Sequence, residues 1–311
     1  MSELSFGAAS LGNLFRETTE SEAAEAVQAA LDVGIRYFDT APHYGLGLSE
    51  RRLGSALTRF PRDELVISSK VGRLLVPNEN PTGRDNDLFL VGDELRREWD
   101  FSRDGILRSI EASLTRLQTD YLDIVYLHDP DVSGDPDAAE KGAEALIELR
   151  SEGVVRAVGI GSNDAAAVTD LFRVADIDLA MVAGRYTLLD NRAGDDIFEA
   201  ADGRPIVAAG VFNSGLLAKH RPDAGALYDY SPASADLIAR TNEIADICDR
   251  FGVTLPQVAI AFPLRNLSVA SVTLGMRSAD QVKRNERLFR AGVPDALWVA
   301  LAEASLLTSG E

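Results

Sequence analysis

The stretch TESEAAEAVQAALDVGIRYFD, Thr19 to Asp39, holds the pattern from which the fold is read. Ala23, Ala26, Val27, Ala30 and Leu31 recur at helical spacing, so residues 19–33 form a helix with one apolar face. Thr19 and Glu22 stand three apart as a capping box, and Gly34 stops the helix. A short aromatic run, Arg36–Asp39, follows almost at once and reads as a strand. A helix delivering the chain straight into a buried strand is half of a βαβ unit.

The same unit repeats on both sides. Leu4–Ala8 precedes it as a strand; Leu65–Lys70, Ile124–His128, Ala157–Gly161, Ala180–Ala183, Ile206–Ala209 and Ser271–Leu274 follow, making eight. Helical spacing returns between them. Residues 104–117 carry Leu107, Ile110, Leu114 and Leu117 on one face; residues 237–251 carry Leu237, Ile244, Ala245, Cys248 and Phe251. The strands are apolar without clean alternation, as in a parallel sheet covered by helices. Eight repeats predict an α/β fold, a (β/α)8 TIM barrel forming a single domain over residues 1–311. The rival, a doubly wound open sheet, needs a glycine fingerprint near its first strand. GLGLSE at 45–50 and GIGSND at 159–164 both lack the third glycine. Residues 72–103 and 212–235 have no strong periodicity and are expected as long loops after strands three and seven, covering a site.

Composition narrows the function classes. Of 311 residues, 46% are hydrophobic and 26% charged, which is globular rather than disordered. Cys248 is the single cysteine, so neither a disulfide framework nor a multi-cysteine metal site is available. Lys and Arg number 31 against 49 Asp and Glu, a net charge of −18. So acidic a chain repels nucleic acid and anionic membranes. The opening MSELSFGAAS has no basic segment leading an apolar run, so no signal peptide is expected. Apolar runs such as LAMVA at 179–183 are too short to span a bilayer. The expectation is a cytoplasmic protein whose partner is a small molecule.

In such barrels chemistry sits where strands end. Strand two ends in Asp39 and runs on to Tyr44; strand three ends in Lys70; strand four ends in His128. A phenol exchanges protons poorly at neutral pH, but an adjacent ammonium favours its ionised form, and a carboxylate holds that ammonium in place. An imidazole orients a substrate oxygen. This set suits proton exchange with an alcohol or carbonyl while hydride moves at carbon, and no residue cluster suggests a metal. An organic hydride carrier is therefore required.

GIRYFDTAPHYGLGLSERRLG at 34–54, VISSKVG at 66–72, DYLDIVYLHDPD at 120–131 and VVRAVGIGSND at 154–164 resemble the aldo-keto reductase superfamily, in consistent order from residue 4 to 290. The resemblance implies a (β/α)8 barrel with Asp39, Tyr44, Lys70 and His128 as catalytic tetrad. WDFSRDGILRSIEASLTRL at 99–117, GRYTLLD at 184–190 and FNSGLLA at 212–218 resemble its aldose 1-dehydrogenase branch, of L-fucose and D-threo-aldose dehydrogenase type.

Barrels also cradle phosphate between the loop after strand seven and the helix after strand eight. Here those are Phe212, Asn213, Ser214, Gly215 and Leu216, and Gly275 with Arg277, whose charge would add to the helix dipole. By resemblance, Ser162 and Asn163 hold the nicotinamide amide and Gln281 and Asn285 approach the adenine. Departures from the family pattern are Ala183 in place of a glutamine and Ala209 or Gly210 in place of a stacking aromatic. Gly275 stands where a lysine serves the 2′-phosphate, so of NAD and NADP the lean is to NAD. The amino-terminal hairpin of many relatives has no counterpart, implying an open barrel bottom or a start further upstream.

Bland readings stand beside these. Cys248 lies on an apolar helix face and reads as core. His220 reads as solvent-facing; His43 and Trp99 read either as pocket wall or as ordinary loop and packing residues. The expected reaction is NAD(P)-dependent oxidation of an aldose at C1, with Tyr44 as general acid/base. The alternatives are NADPH-dependent aldehyde or ketone reduction, Schiff-base chemistry on Lys70, and a redox-sensing auxiliary subunit.

Overall fold

Strands β1 (Leu4–Gly7), β2 (Tyr37–Asp39) and β3 (Val66–Val71) begin a parallel sheet. An antiparallel hairpin, β4 (Arg73–Pro77) with β5 (Leu95–Trp99), then leaves it. The sheet resumes through β6 (Ile124–His128), β7 (Ala157–Ser162), β8 (Leu179–Ala183) and β9 (Ile206–Ala209). A small hairpin pairs β10 (Leu227–Tyr228) with β11 (Ser231–Pro232), and β12 (Val269–Gly275) returns to β1 and closes the barrel. This computed structural model describes residues 1–191, 194–223 and 225–307; Ala224 in the second long connection and 308–311 at the end of the expected domain lie outside them.

Helices fill the crossovers: α1 (Glu20–Asp32), α2 (Leu48–Leu57), α3 (Arg103–Leu117), α4 (Ala138–Ser151), α5 (Ala165–Val174) and α6 (Gly194–Ala201). Then come α7 (Ala235–Arg250), α8 (Leu255–Ala261), α9 (Ala279–Arg290) and α10 (Asp295–Glu303). The Thr19–Glu22 capping box forms, and Ser102, Asp164, Ser234 and Ser278 cap α3, α5, α7 and α9 with their side chains. Each cap satisfies an otherwise orphaned helix N–H. Among the described residues no helix is long and apolar enough to cross a membrane.

Two cores result from the strand's period of two. Phe6, Phe38, Ile67, Val125, Leu127, Ile160 and Val182 pack against the helices. Tyr37, Ile124, Tyr126, Leu179, Met181 and Val207 form a separate cluster. Where β12 meets β1, hydroxyls replace apolar contacts: Ser5 Oγ lies 2.7 Å from Thr273 Oγ1, and Ser271 Oγ donates to Ser5 Oγ at 2.8 Å.

The stretch 72–103 corrects the expectation of an unstructured loop, because β4 and β5 pair over five residues there. RLLVP is apolar after Arg73 but ends on a proline, and LRREW is mostly charged, so neither alternates as a half-buried strand does and the hairpin is masked. Elsewhere strand ends move by one or two residues; β12 begins two earlier, at Val269, with a bulge before Ser271.

Candidate active site

Strands β2, β3 and β6 are consecutive in the barrel, so their C-terminal ends bring Asp39, Lys70 and His128 to one mouth. All three are buried. Lys70 Nζ donates to Asp39 Oδ2 at 2.6 Å and to the Thr40 carbonyl at 3.0 Å. The same Nζ stands 4.8 Å from the centre of the Tyr44 ring, which meets the His128 ring edge-on at 5.7 Å. The four expected residues therefore converge.

Electrostatics set their protonation. Burial pushes the Tyr44 phenol up to about 12, and the Lys70 ammonium offsets only part of that. The expectation that Lys70 brings the phenol towards neutrality is thus met only in part: desolvation is the larger force. Burial also works against the Lys70 ammonium, but Asp39 and Tyr44 outweigh it and leave its pKa raised. His128 is held well below the usual imidazole range by burial and by Arg73 and Lys70, so the ring is neutral. Its buried Nδ1 has no hydrogen-bond partner among the described residues, as suits an atom that meets a ligand.

A roof covers this set. Phe89, from the loop between β4 and β5, packs 5.2 Å from the His43 ring and 5.9 Å from Tyr44. The Phe15 N–H donates to Leu88 O and the Leu90 N–H to Asn13 O, tying the roof to the loop after β1. Arg97 holds Asp85 with two bonds of 2.7 Å and donates to the His43 carbonyl at 3.0 Å. Arg73 donates to Asp129 Oδ2 at 2.6 Å and lies over Trp99, while its buried Nε has no partner among the described residues. His43 sits inside this wall, 5.3 Å from the His128 ring; burial, first, and then Arg73 hold its pKa down to about 2. Trp99 supports Arg73 from a position 39% exposed. Arg73 and Asp129 escaped the sequence reading. Asp129 was signalled by adjacency to His128, Arg73 only by a strand hidden in a charged stretch.

The residues expected to hold the dinucleotide are distributed as follows. Asn213 and Ser214 have left-handed φ values of 45° and 57°, and Gly215 one of 102°. A Cβ on Gly215 or Gly275 would meet nothing within 4 Å, so both leave room for a ligand. The Asn213 Oδ1 is buried without a partner among the described residues, and Ser214 Oγ accepts the Tyr230 N–H at 3.0 Å. Leu216 is buried and Phe212 packs partly against the core. The Ser162 hydroxyl donates to Asp131 at 2.7 Å, while Asn163 is exposed and its carbonyl accepts from Arg185. Gln281 Oε1 accepts the Arg277 N–H at 2.8 Å, and Asn285 is buried.

Arg277 makes bonds that the expectation did not include. Its guanidinium donates to Arg16 O, Thr18 Oγ1 and Leu14 O, so it anchors the segment 14–18. His220 is partly exposed, as expected, and also has a structural role: it accepts the Leu255 N–H at 3.1 Å and lies 2.8 Å from Asp249, fixing the start of α8. Cys248 is fully buried, as its helix face implied.

An orphaned amide oxygen in a left-handed loop, a glycine-lined gap and the capped start of α9 fit a dinucleotide. The aldo/keto reductase family profile matches residues 3–304. The chain belongs to that family. Family membership makes it an NAD(P)-dependent oxidoreductase. The chain is 48% identical to D-threo-aldose 1-dehydrogenase of a Pseudomonas species, over 98% of this chain and 94% of that one. It is 37% identical to pyridoxal 4-dehydrogenase of Microbacterium luteolum, over 98% and 94%. The holo form of an aldo-keto reductase from Bacillus halodurans superposes with a TM-score of 0.75 at 28% identity, over 99% and 93%.

Proposed function

We propose that this family member oxidises an aldose of the D-threo or L-fucose type at C1 to the lactone. The observation that carries this reading is the polar wall above the tetrad. Arg73, Asp129 and His43 offer charged and hydrogen-bonding groups where an alkyl or aryl aldehyde would need apolar contact. A sugar, with a hydroxyl on nearly every carbon, meets such a wall; the 48% identical relative acts on D-threo-aldoses by its name.

Bound nicotinamide supplies the hydride acceptor. The protein's own groups do the rest. Neutral His128 hydrogen-bonds the C1 oxygen and orients it. Tyr44 takes the proton of the anomeric hydroxyl as the C1–H bond gives up its hydride, leaving C1 as the lactone carbonyl. Lys70, held by Asp39, stabilises the phenolate that accepts this proton. Asn213, Ser214, Gly215 and Gly275 would line a bound dinucleotide, with Phe212, Leu216, Ser162, Asn163, Gln281 and Asn285 around them. Gly275 leaves no ammonium for a 2′-phosphate, and Arg277 is committed elsewhere, which supports NAD over NADP.

One observation favours the reverse direction: a phenol raised to about 12 is the acid form that carbonyl reduction consumes. Initial rates in both directions, with aldoses, pyridoxal and simple aldehydes against both cofactors, separate the readings. Tyr44→Phe should lower turnover at least about 1000-fold, while dinucleotide binding followed by fluorescence stays near wild type. Wild-type turnover in that variant overturns the assignment.

A further inference from the structure

Beneath the tetrad, Asp39 has a second set of partners that the reaction scheme does not use. Its Oδ2 takes the Lys70 ammonium, but its Oδ1 lies 2.7 Å from Ser68 Oγ. Ser68 Oγ lies 3.1 Å from the Tyr37 hydroxyl, which lies 3.1 Å from the Tyr126 hydroxyl. All three side chains are buried, with exposures of 0%.

Proton bookkeeping fixes the direction of this row. An ionised carboxylate only accepts, so Ser68 spends its one proton on Asp39. Ser68 Oγ then accepts from Tyr37, which has no proton left for Tyr126, and Tyr126 donates to Tyr37. Every O–H points towards the carboxylate. We infer that Tyr126, Tyr37 and Ser68 form a one-way donor relay that positions and sustains the Asp39 anion, and through it the Lys70 ammonium that serves Tyr44. Consecutive donors in a buried row polarise one another in the same sense. These are positioning residues, and the inference rests on the tetrad reading above.

Other charges face the same groups and belong to the same balance. Tyr44 also feels Asp129, and His128 feels Arg73, His43 and Arg97. None of these contacts Asp39 Oδ1, so variants in the relay leave them in place.

The test is kcat/KM for oxidation across pH 7 to 9, with dinucleotide binding followed by fluorescence, in Ser68→Ala, Ser68→Thr, Ser68→Val, Tyr37→Phe and Tyr126→Phe, with Tyr44→Phe alongside. Without Ser68, Asp39 Oδ1 is buried with no donor, and the carboxylate and the Lys70 ammonium it holds lose their fixed place beside Tyr44. Ser68→Ala should therefore lower kcat/KM by about 10- to 100-fold, with dinucleotide binding near wild type. Tyr37→Phe should do the same by about 3- to 10-fold and Tyr126→Phe by about 3-fold or less. Ser68→Thr should recover most of the loss, whereas Ser68→Val, of nearly the same shape but without a hydroxyl, should not. A purely structural role would make Thr and Val behave alike, and that result overturns the relay. The two tyrosine variants keep their rings and test it even if Ser68→Ala folds poorly. An inactive Tyr44→Phe with wild-type kcat/KM in the others sinks the relay alone. An active Tyr44→Phe sinks the tetrad reading and the relay's purpose with it.

Discussion

A methyl group on Gly12 would come within 2.6 Å of the Tyr44 carbonyl, and one on Gly45, at φ 64°, within 2.3 Å of Gly12 O. The loop after β1 and the loop carrying Tyr44 thus meet backbone to backbone, and only paired glycines permit it. That contact fixes where the phenol stands; burial then decides when it ionises. With its pKa near 12, Tyr44 is protonated throughout the neutral range. The proposed oxidation needs the phenolate, whose fraction rises about tenfold per pH unit below the pKa. kcat/KM for oxidation should therefore climb steeply from pH 7 to 9, while reduction, which consumes the phenol, stays nearly flat. Steady-state rates in both directions check this; a flat oxidation profile would assign the proton to another group.

At the scale of elements, Glu50 on α2 ties three pieces together although it is completely buried. Its Oε1 accepts from Ser69 Oγ on β3 at 2.7 Å, and its Oε2 from Arg116 Nε on α3 at 2.6 Å. Arg116→Ala would strand that charge and should cost about 3–5 kcal/mol in urea unfolding, whereas removing both partners should cost less than the two single changes together. Such cross-element links are invisible in a sequence. The apolar stripe and capping box of α1 were legible because every signal lies within fifteen or so residues. The meeting of Asp39, Tyr44, Lys70 and His128 was legible for a related reason, each lying at or just past a recognisable strand end. Arg277 was not, because its partners Leu14, Arg16 and Thr18 lie at the other end of the chain. Arg73 was not, because RLLVP has no strand alternation and pairs with LRREW, a charged segment well along the chain.

For the whole molecule the governing quantity is charge. A net −18 surrounds a site meant for an anionic dinucleotide, and Arg277, the cation expected to offset it, is tied to main-chain carbonyls. Approach of the cofactor is then opposed over a distance set by salt. The Debye length is about 30 Å at 0.01 M and about 8 Å at 0.15 M, so the first field spans the barrel and the second ends near its surface. KM for the dinucleotide should fall severalfold as salt rises across that range, because screening removes repulsion faster than it weakens local contacts. NADP carries an additional phosphate and should respond more steeply than NAD. Measuring both KM values at constant pH in graded sodium chloride decides the point: a KM that rises with salt would mean that local cations, and not the acidic surface, govern cofactor capture.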